Sequence, residues 1–129
     1  MNLNQITIPV LNVERSIVFY ETLGLLLIVR SLPHYARFQC PNGGATFSLH
    51  QVEKLPTGEG AWIYFELDNL DEKVQELISK NIFFEELPTD KPWFWREARL
   101  KDPDQNQLIL YFAGSNRTDP PWKIQAADK

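Results

Sequence analysis

The stretch ITIPVLNV at residues 6–13 has a counterpart, IYFELDNL, at residues 63–70. Apolar and polar positions match one for one at an offset of 57 residues, counted from Ile6 to Ile63. In each copy the two classes alternate with a period of two, which is typical of a strand that buries one face. Each copy then passes through an asparagine into a helical pattern. The chain is therefore expected to contain the same strand–helix unit twice.

Each repeat continues in the same order after its first strand. The predicted helices cover residues 14–23 and 71–79, and they end at Gly24 and near Asn81. Three strand-like stretches follow each helix, at residues 26–30, 35–40 and 46–52 in the first repeat and at 82–86, 95–101 and 107–112 in the second. This order predicts an α+β fold class built from two tandem βαβββ modules.

Breaker residues set the predicted boundaries. The segment KLPTGEG at residues 54–60 is predicted to be a linker between a first module at 1–53 and a second at 61–114, and residues 115–129 form a C-terminal tail. By analogy with known folds, the two sheets are expected to curl into a cup with the helices outside, although periodicity alone allows other packings.

Composition excludes several classes of protein. The 43% hydrophobic and 23% charged residues are typical of a globular domain rather than a disordered chain. A net charge of −4 argues against a protein that binds nucleic acid by neutralising phosphates. No apolar run approaches the ~20 residues of a membrane helix. The N-terminus lacks a secretory signal pattern, and the single Cys40 forms neither an internal disulfide nor a cysteine metal site, so we expect a cytoplasmic protein.

Two motifs resemble the vicinal oxygen chelate superfamily, which includes glyoxalase I, bleomycin-resistance proteins and extradiol dioxygenases. One is the helix at residues 12–25, with NVERS, FY and LGL in order, and the other is the turn KDPDQN at residues 101–106, where Gln105 replaces the usual glycine of a DPDGN turn. The resemblance spans roughly residues 3 to 113. It implies this family's fold, is closest in character to the metal-free bleomycin-resistance branch, and implies a homodimer.

In metal-dependent members of the superfamily, four strand positions hold a divalent ion. The resemblance carries these positions onto Gln5, Ser48, Trp62 and Ile109. A divalent metal needs several converging oxygen or nitrogen donors, and neither Trp62 nor Ile109 supplies one. We therefore expect no metal cofactor.

Two alternatives remain open for the titratable residues. His50, Glu66 and Tyr111 each lie two residues beyond a lost ligand position, so with Gln5 they are candidates for a displaced metal site. Without metal, Glu66 is a candidate general base with His50 or Tyr111 as the acid, or His50 and Glu66 are plain structural residues.

Aromatic residues favour ligand binding over catalysis. Alternation directs Trp62, Tyr64 and Tyr111 toward the expected cup, and the segment PWFWR at residues 92–96 enters a neighbouring hairpin. Aromatic walls with a few polar groups suit a small, partly aromatic or apolar molecule. The candidate ligand-binding residues are Gln5, Ser48, His50, Trp62, Tyr64, Glu66, Trp93, Trp95, Arg96, Ile109 and Tyr111.

Three functional hypotheses follow from these features. The first is a metal-free protein that binds a small molecule without transforming it. The second is an enzyme of the lyase, isomerase or dioxygenase type, which the resemblance to the glyoxalase branch implies. The third is a scaffold that recognises another protein through the Trp93–Trp95 hairpin, with the remaining rings filling a closed cup or covering a dimer seam.

Overall fold

The computed structural model describes residues 1–125 as an α+β protein of two βαβββ modules. The predicted fold class and module order are therefore confirmed. In chain order the elements are β1 (Gln5–Val10), α1 (Val13–Leu23), β2 (Leu26–Ser31), β3 (Tyr35–Gln39), β4 (Thr46–Gln51), β5 (Trp62–Glu66), α2 (Leu70–Ser79), β6 (Glu86–Asp90), β7 (Arg96–Lys101), β8 (Gln107–Phe112) and a short 3₁₀ helix (Gly114–Arg117). No helix among residues 1–125 is long and apolar enough to span a membrane.

The chain forms two compact units, and the first contains residues 1–61 together with 101–106. Its sheet has the strand order β1-β4-β3-β2, with β1 parallel to β4 and the other pairs antiparallel. One face of this sheet packs against α1 and carries the buried core of the unit. The buried apolar side chains include Ile8, Val10, Ile17, Tyr20, Phe38, Phe47 and Leu49.

Both ends of α1 are capped as the sequence predicts. The side chain of Asn12 accepts a 3.0 Å hydrogen bond from the backbone N–H of Arg15, which satisfies one of the free donors of the first turn. Gly24 ends the helix in the left-handed conformation, with φ of 107°.

The second unit contains residues 62–100 and 107–125 of the described chain. Its sheet has the order β5-β8-β7-β6, and β5 runs parallel to β8. The helix α2 packs on one face, where the buried side chains include Val74, Leu77, Ala98, Leu100 and Leu108. The opposite face of each sheet is called its open face below.

The sixth strand corrects one prediction. The apolar run at residues 82–84 indicated a strand over 82–86, but the strand is Glu86–Asp90. Asn81 adopts a positive φ of 68°, and the N–H of Ile82 bonds to the carbonyl of Leu77, so this run terminates α2 instead of pairing in the sheet. The strand that follows lies at the edge of the sheet, where a proline such as Pro88 is tolerated.

Candidate functional site

The open face of the second sheet carries a cluster of three rings from three different strands or strand ends. Trp95 stacks on Tyr111 with ring centroids 4.8 Å apart, and Tyr64 meets both rings edge-on at 5.8 and 5.4 Å. Tyr111 is buried with Ile109 beneath Trp95, whereas Tyr64 is 39% exposed. Burial raises the pKa of Tyr111, and the nearby charge of Glu66 raises it further. The cluster therefore presents a ring surface that rests on a packed base.

Two charged side chains border these rings. Glu97 is only 1% exposed, and its Oε2 accepts a 2.7 Å hydrogen bond from the indole N–H of Trp93. Its Oε1 has no hydrogen-bond partner within residues 1–125, although Nη2 of Arg99 lies 3.7 Å away. The guanidinium of Arg99 in turn lies over the ring of Trp62, 4.6 Å from its centroid. A buried carboxylate and a stacked cation therefore meet at the edge of the aromatic cluster.

Glu97 and Arg99 were not among the candidate site residues predicted from the sequence. Strand alternation contains the signal, because Ala98 and Leu100 are buried on the α2 side and leave Glu97 and Arg99 for the open face. Arg96, which the prediction included, lies on the α2 side. There it donates to Asp71 at 2.9 and 3.0 Å and to Asp90 at 2.9 Å.

Glu66 anchors the segment that follows β8. Its Oε2 accepts hydrogen bonds from the backbone N–H groups of Ala113 and Gly114, at 2.8 and 3.0 Å. Nε of Arg117 lies 3.7 Å from its Oε1. The carboxylate of Glu66, a candidate general base, therefore holds the segment after β8 through these contacts.

The segment after β8 also contacts the aromatic residues of the second unit. The indole N–H of Trp95 donates to the carbonyl of Asn116 at 3.3 Å, and the ring of Trp122 lies 5.2 Å from that of Phe94. Trp93, another predicted ligand-binding residue, remains 42% exposed although its N–H bonds to Glu97. The remainder of the predicted tail, residues 126–129, lies outside the described residues.

The open face of the first sheet carries a polar network instead of rings in a stack. Nε2 of Gln5 donates to Oγ of Ser48 at 2.8 Å, and the hydroxyls of Ser48 and Tyr35 are 2.7 Å apart. Nε of Arg37 donates to the hydroxyl of Tyr35 at 2.9 Å. Gln5 also accepts a hydrogen bond from the hydroxyl of Thr46. Ser48, although fully buried, therefore has two hydrogen-bond partners.

The sequence analysis did not identify Tyr35 and Arg37. Their register would have revealed them, since Arg37 pairs with Ser48 and Tyr35 with His50 across the β3–β4 hairpin. His50, a candidate acid, is exposed near the end of β4. It belongs to the first unit and Glu66 to the second.

The donor chemistry at the four carried-over metal positions does not suit a divalent ion. Trp62 and Ile109 supply no oxygen or imine nitrogen, and Gln5 and Ser48 are hydrogen-bonded to each other. Within residues 1–125, no group of three or more His, Cys, Asp or Glu side chains is placed to hold a metal.

Comparison with known proteins identifies the family. Residues 2–110 match the model of the Glyoxalase/Bleomycin resistance protein/Dioxygenase superfamily, so the chain belongs to it. It is 28% identical to the "Probable trivalent organoarsenical cleaving enzyme" of Bacillus subtilis (strain 168), with 84% of this chain and 78% of that protein aligned.

Solved structures share the fold at lower identity. A glyoxalase/bleomycin resistance protein/dioxygenase from Nocardioides superposes with a TM-score of 0.75 at 23% identity, covering 97% of this chain and 90% of that one. A bleomycin-binding protein complexed with bleomycin gives 0.71 at 20% identity, covering 87% and 98%. Lactoylglutathione lyase from Agrobacterium tumefaciens gives 0.73 at 16% identity, covering 86% and 92%.

Proposed function

We propose that this member of the superfamily binds a small, partly aromatic or apolar organic molecule on the open face of its second sheet, without a resident metal and without transforming the molecule. The observation that carries the proposal is the exposure of large rings on a packed base. Trp62 is 42% exposed and Tyr64 39%, while Tyr111 and Ile109 beside them are buried. Exposed apolar surface of this kind is typical of binding sites.

The chemistry of the face suits a flat ligand. Rings gain stacking energy of about 0.5–1.5 kcal/mol per aromatic pair beyond the effect of burial. Arg99, which lies beside the buried Glu97, supplies a polar contact at the edge, and a few such groups are the usual way that an apolar site fixes the orientation of its ligand. The bleomycin-binding protein of similar fold, whose structure is a complex with bleomycin, supports the proposal of an organic ligand.

Tryptophan fluorescence tests the proposal, with bleomycin as the first probe. We expect saturable quenching by bleomycin, and we expect Trp62→Ala to weaken the affinity by roughly tenfold, which corresponds to the loss of one stacking contact. Trp122→Ala is the matched control, because Trp122 is exposed and packs on Phe94, whereas Trp62 lies on β5 against Arg99. Mass spectrometry of the recovered probe should show an unchanged molecule. Equal weakening in both variants would contradict the assignment of the binding face.

An enzyme of the lyase, isomerase or dioxygenase type is the second candidate, and the curated relative named as an organoarsenical cleaving enzyme favours it. Such an enzyme needs either the displaced metal site, with His50, Glu66, Tyr111 and Gln5, or acid–base chemistry by Glu66 and His50. The contacts of Glu66 to Ala113 and Gly114 favour the binding function instead.

Metal analysis separates the two candidates. The protein purified without an affinity tag is dialysed in turn against Zn, Ni, Mn and Fe, and its metal content and its turnover of a trivalent phenyl arsenical are measured. We expect no stoichiometric metal and no cleaved product. One tightly bound ion per chain together with turnover would establish the enzyme and refute the binding function.

The proposal includes a cytoplasmic homodimer that binds neither nucleic acid nor membranes. The family resemblance supports the dimer, and the net charge of −4 supports the absence of a nucleic-acid partner. Light scattering coupled to size-exclusion chromatography tests the dimer directly, since one chain has a mass of 15.0 kDa. A monomeric mass at micromolar concentration would remove the homodimer from the proposal.

A further inference from the structure

We infer that Arg37, held by Tyr35 and Ser48 on the open face of the first sheet, is a binding site for an oxyanion of the carboxylate or phosphate type. The inference is independent of the proposed ligand on the second sheet. It starts from the chain of hydrogen bonds that runs from Gln5 through Ser48 and Tyr35 to Arg37.

The network leaves one end of the guanidinium unused. Nε of Arg37 donates to the hydroxyl of Tyr35, and the guanidinium carbon Cζ of Arg37 lies 5.4 Å from the centre of the Tyr35 ring. No carboxylate among residues 1–125 pairs with Arg37. The two terminal nitrogens, Nη1 and Nη2, therefore remain as a planar pair of donors. This geometry binds the two oxygens of a carboxylate or phosphate end-on.

The sheet around Arg37 lacks the negative charge that would neutralise it. The four strands β1, β2, β3 and β4 contain no aspartate or glutamate. His50 on β4 shares the open face, whereas a second cation, Arg30, pairs with the buried Ala36 and so lies on the α1 face. Although the whole chain carries a net charge of −4, the local charge on this sheet is positive.

Ser48, at the base of the network, is buried and hydrogen-bonded. Its hydroxyl contacts both Gln5 and Tyr35. Nε2 of Gln5 also donates to the hydroxyl of Thr7 at 3.1 Å. An arginine whose Nε is already bound to such a base loses less side-chain freedom when it takes a ligand, which favours binding.

The replacement at the metal positions supports the same inference. Gln5 and Ser48 are two of the positions that the family resemblance assigns to metal ligands, and here they support Tyr35 and Arg37. A guanidinium supplies a fixed positive charge and two donors to an oxygen ligand, whereas a metal supplies a charge and open coordination sites. Arg37 thus provides on this face the positive charge for a ligand oxygen.

Side-chain NMR of ¹⁵N-labelled arginine tests the site with three probes: benzoate, inorganic phosphate and the neutral analogue benzamide. We expect the Nε–H signal of Arg37 to shift saturably with benzoate or phosphate and not with benzamide. In Arg37→Gln, anion binding is followed instead by the NMR signals of Tyr35. We expect the affinity for the anion to fall by roughly tenfold, as expected for the loss of a charge-assisted bidentate contact. Arg30→Gln, which removes the same charge from a neighbouring strand, should leave it within about twofold.

Each outcome decides the inference. Binding of benzoate that depends on Arg37 supports a carboxylate ligand, and binding of phosphate alone that depends on Arg37 supports a tetrahedral oxyanion. Binding that Arg37→Gln leaves unchanged, or that Arg30→Gln weakens equally, overturns the site. An absence of response to both anions at millimolar concentration also overturns it. Trp62→Ala, which tests the proposed function, should leave this response intact, so that the two proposals fail separately.

Discussion

The phenol of Tyr20 donates a 2.7 Å hydrogen bond to Oδ2 of Asp102, and both side chains are buried. Tyr20 lies on α1, whereas Asp102 opens the turn that leads into β8. The other oxygen of Asp102 accepts the backbone N–H groups of Asp104 and Asn106, both at 2.9 Å. Burial raises the pKa of Tyr20, and the charge of Asp102 raises it further, so the phenol stays a donor. One carboxylate thus closes the turn and joins it to the first helix.

Removal of this phenol should destabilise the protein. We expect Tyr20→Phe to lower the free energy of unfolding by about 1–3 kcal/mol, because a buried carboxylate loses a charge-assisted hydrogen bond. Asp102 keeps its contact with Nδ2 of Asn106 at 2.9 Å, so the protein should still fold. Urea denaturation measures the difference. Tyr64→Phe is the control, since its ring is exposed, and it should change stability by less than about 0.5 kcal/mol. Equal losses in the two variants would contradict the role of Tyr20.

Glu66 should hold the segment after β8 in place. We expect Glu66→Ala to speed hydrogen exchange at the amides of Ala113 and Gly114 by roughly fivefold to tenfold, because each loses its acceptor. Glu66→Gln retains one carbonyl oxygen and should give a smaller effect. Glu59→Ala, in the segment between the two modules, is the control and should leave both amides unchanged. Unaltered exchange in Glu66→Ala would contradict the role of Glu66 as the acceptor of these two amides.

Arg96 should make stability depend on pH through Asp71. Hydrogen bonds from Arg96 lower the pKa of the Asp71 carboxyl in the folded protein. A carboxyl with a lowered folded pKa stabilises the fold above its unfolded pKa, and this contribution disappears as the pH falls through the folded pKa. In Arg96→Gln we expect the NMR-detected pKa of Asp71 to rise toward its ordinary value. The stability difference from the unaltered protein should then shrink in acid, and an unchanged Asp71 pKa would contradict the pairing.

The repeat at residues 6–13 and 63–70 was enough to predict most of the fold. Alternating strands followed by an asparagine and a helix specify a module locally, so the order of elements was predictable. The run at residues 82–84 misled because three apolar residues fit either a strand or a helix terminus that packs on the core. Phe84 is in fact buried while Phe83 is exposed, and β6 begins only at Glu86.

The candidate site was less predictable than the fold. Alternation placed Trp62, Tyr64 and Tyr111 on one strand face, but it does not give the stacking of Trp95 on Tyr111. That contact depends on how Trp95, just before β7, is placed against β8 and on the rotamers of the two rings, which alternation alone does not give. Alternation also does not predict the partners of Glu66, because its hydrogen bonds to Ala113 and Gly114 form where the chain leaves β8.

Two charges of opposite sign should tune the phenol of Tyr64 in opposite directions. Burial raises the pKa of Tyr64, Glu97 raises it further, and Arg99 lowers it. We therefore expect Glu97→Gln to lower the Tyr64 pKa and Arg99→Gln to raise it, as measured by the ultraviolet absorbance of tyrosinate with Tyr64→Phe as the reference for assignment. Gln at position 97 keeps an oxygen that can accept from Trp93, so the indole contact is preserved. Shifts of the same sign in both variants would mean that the packing around the ring, rather than the two charges, sets its pKa.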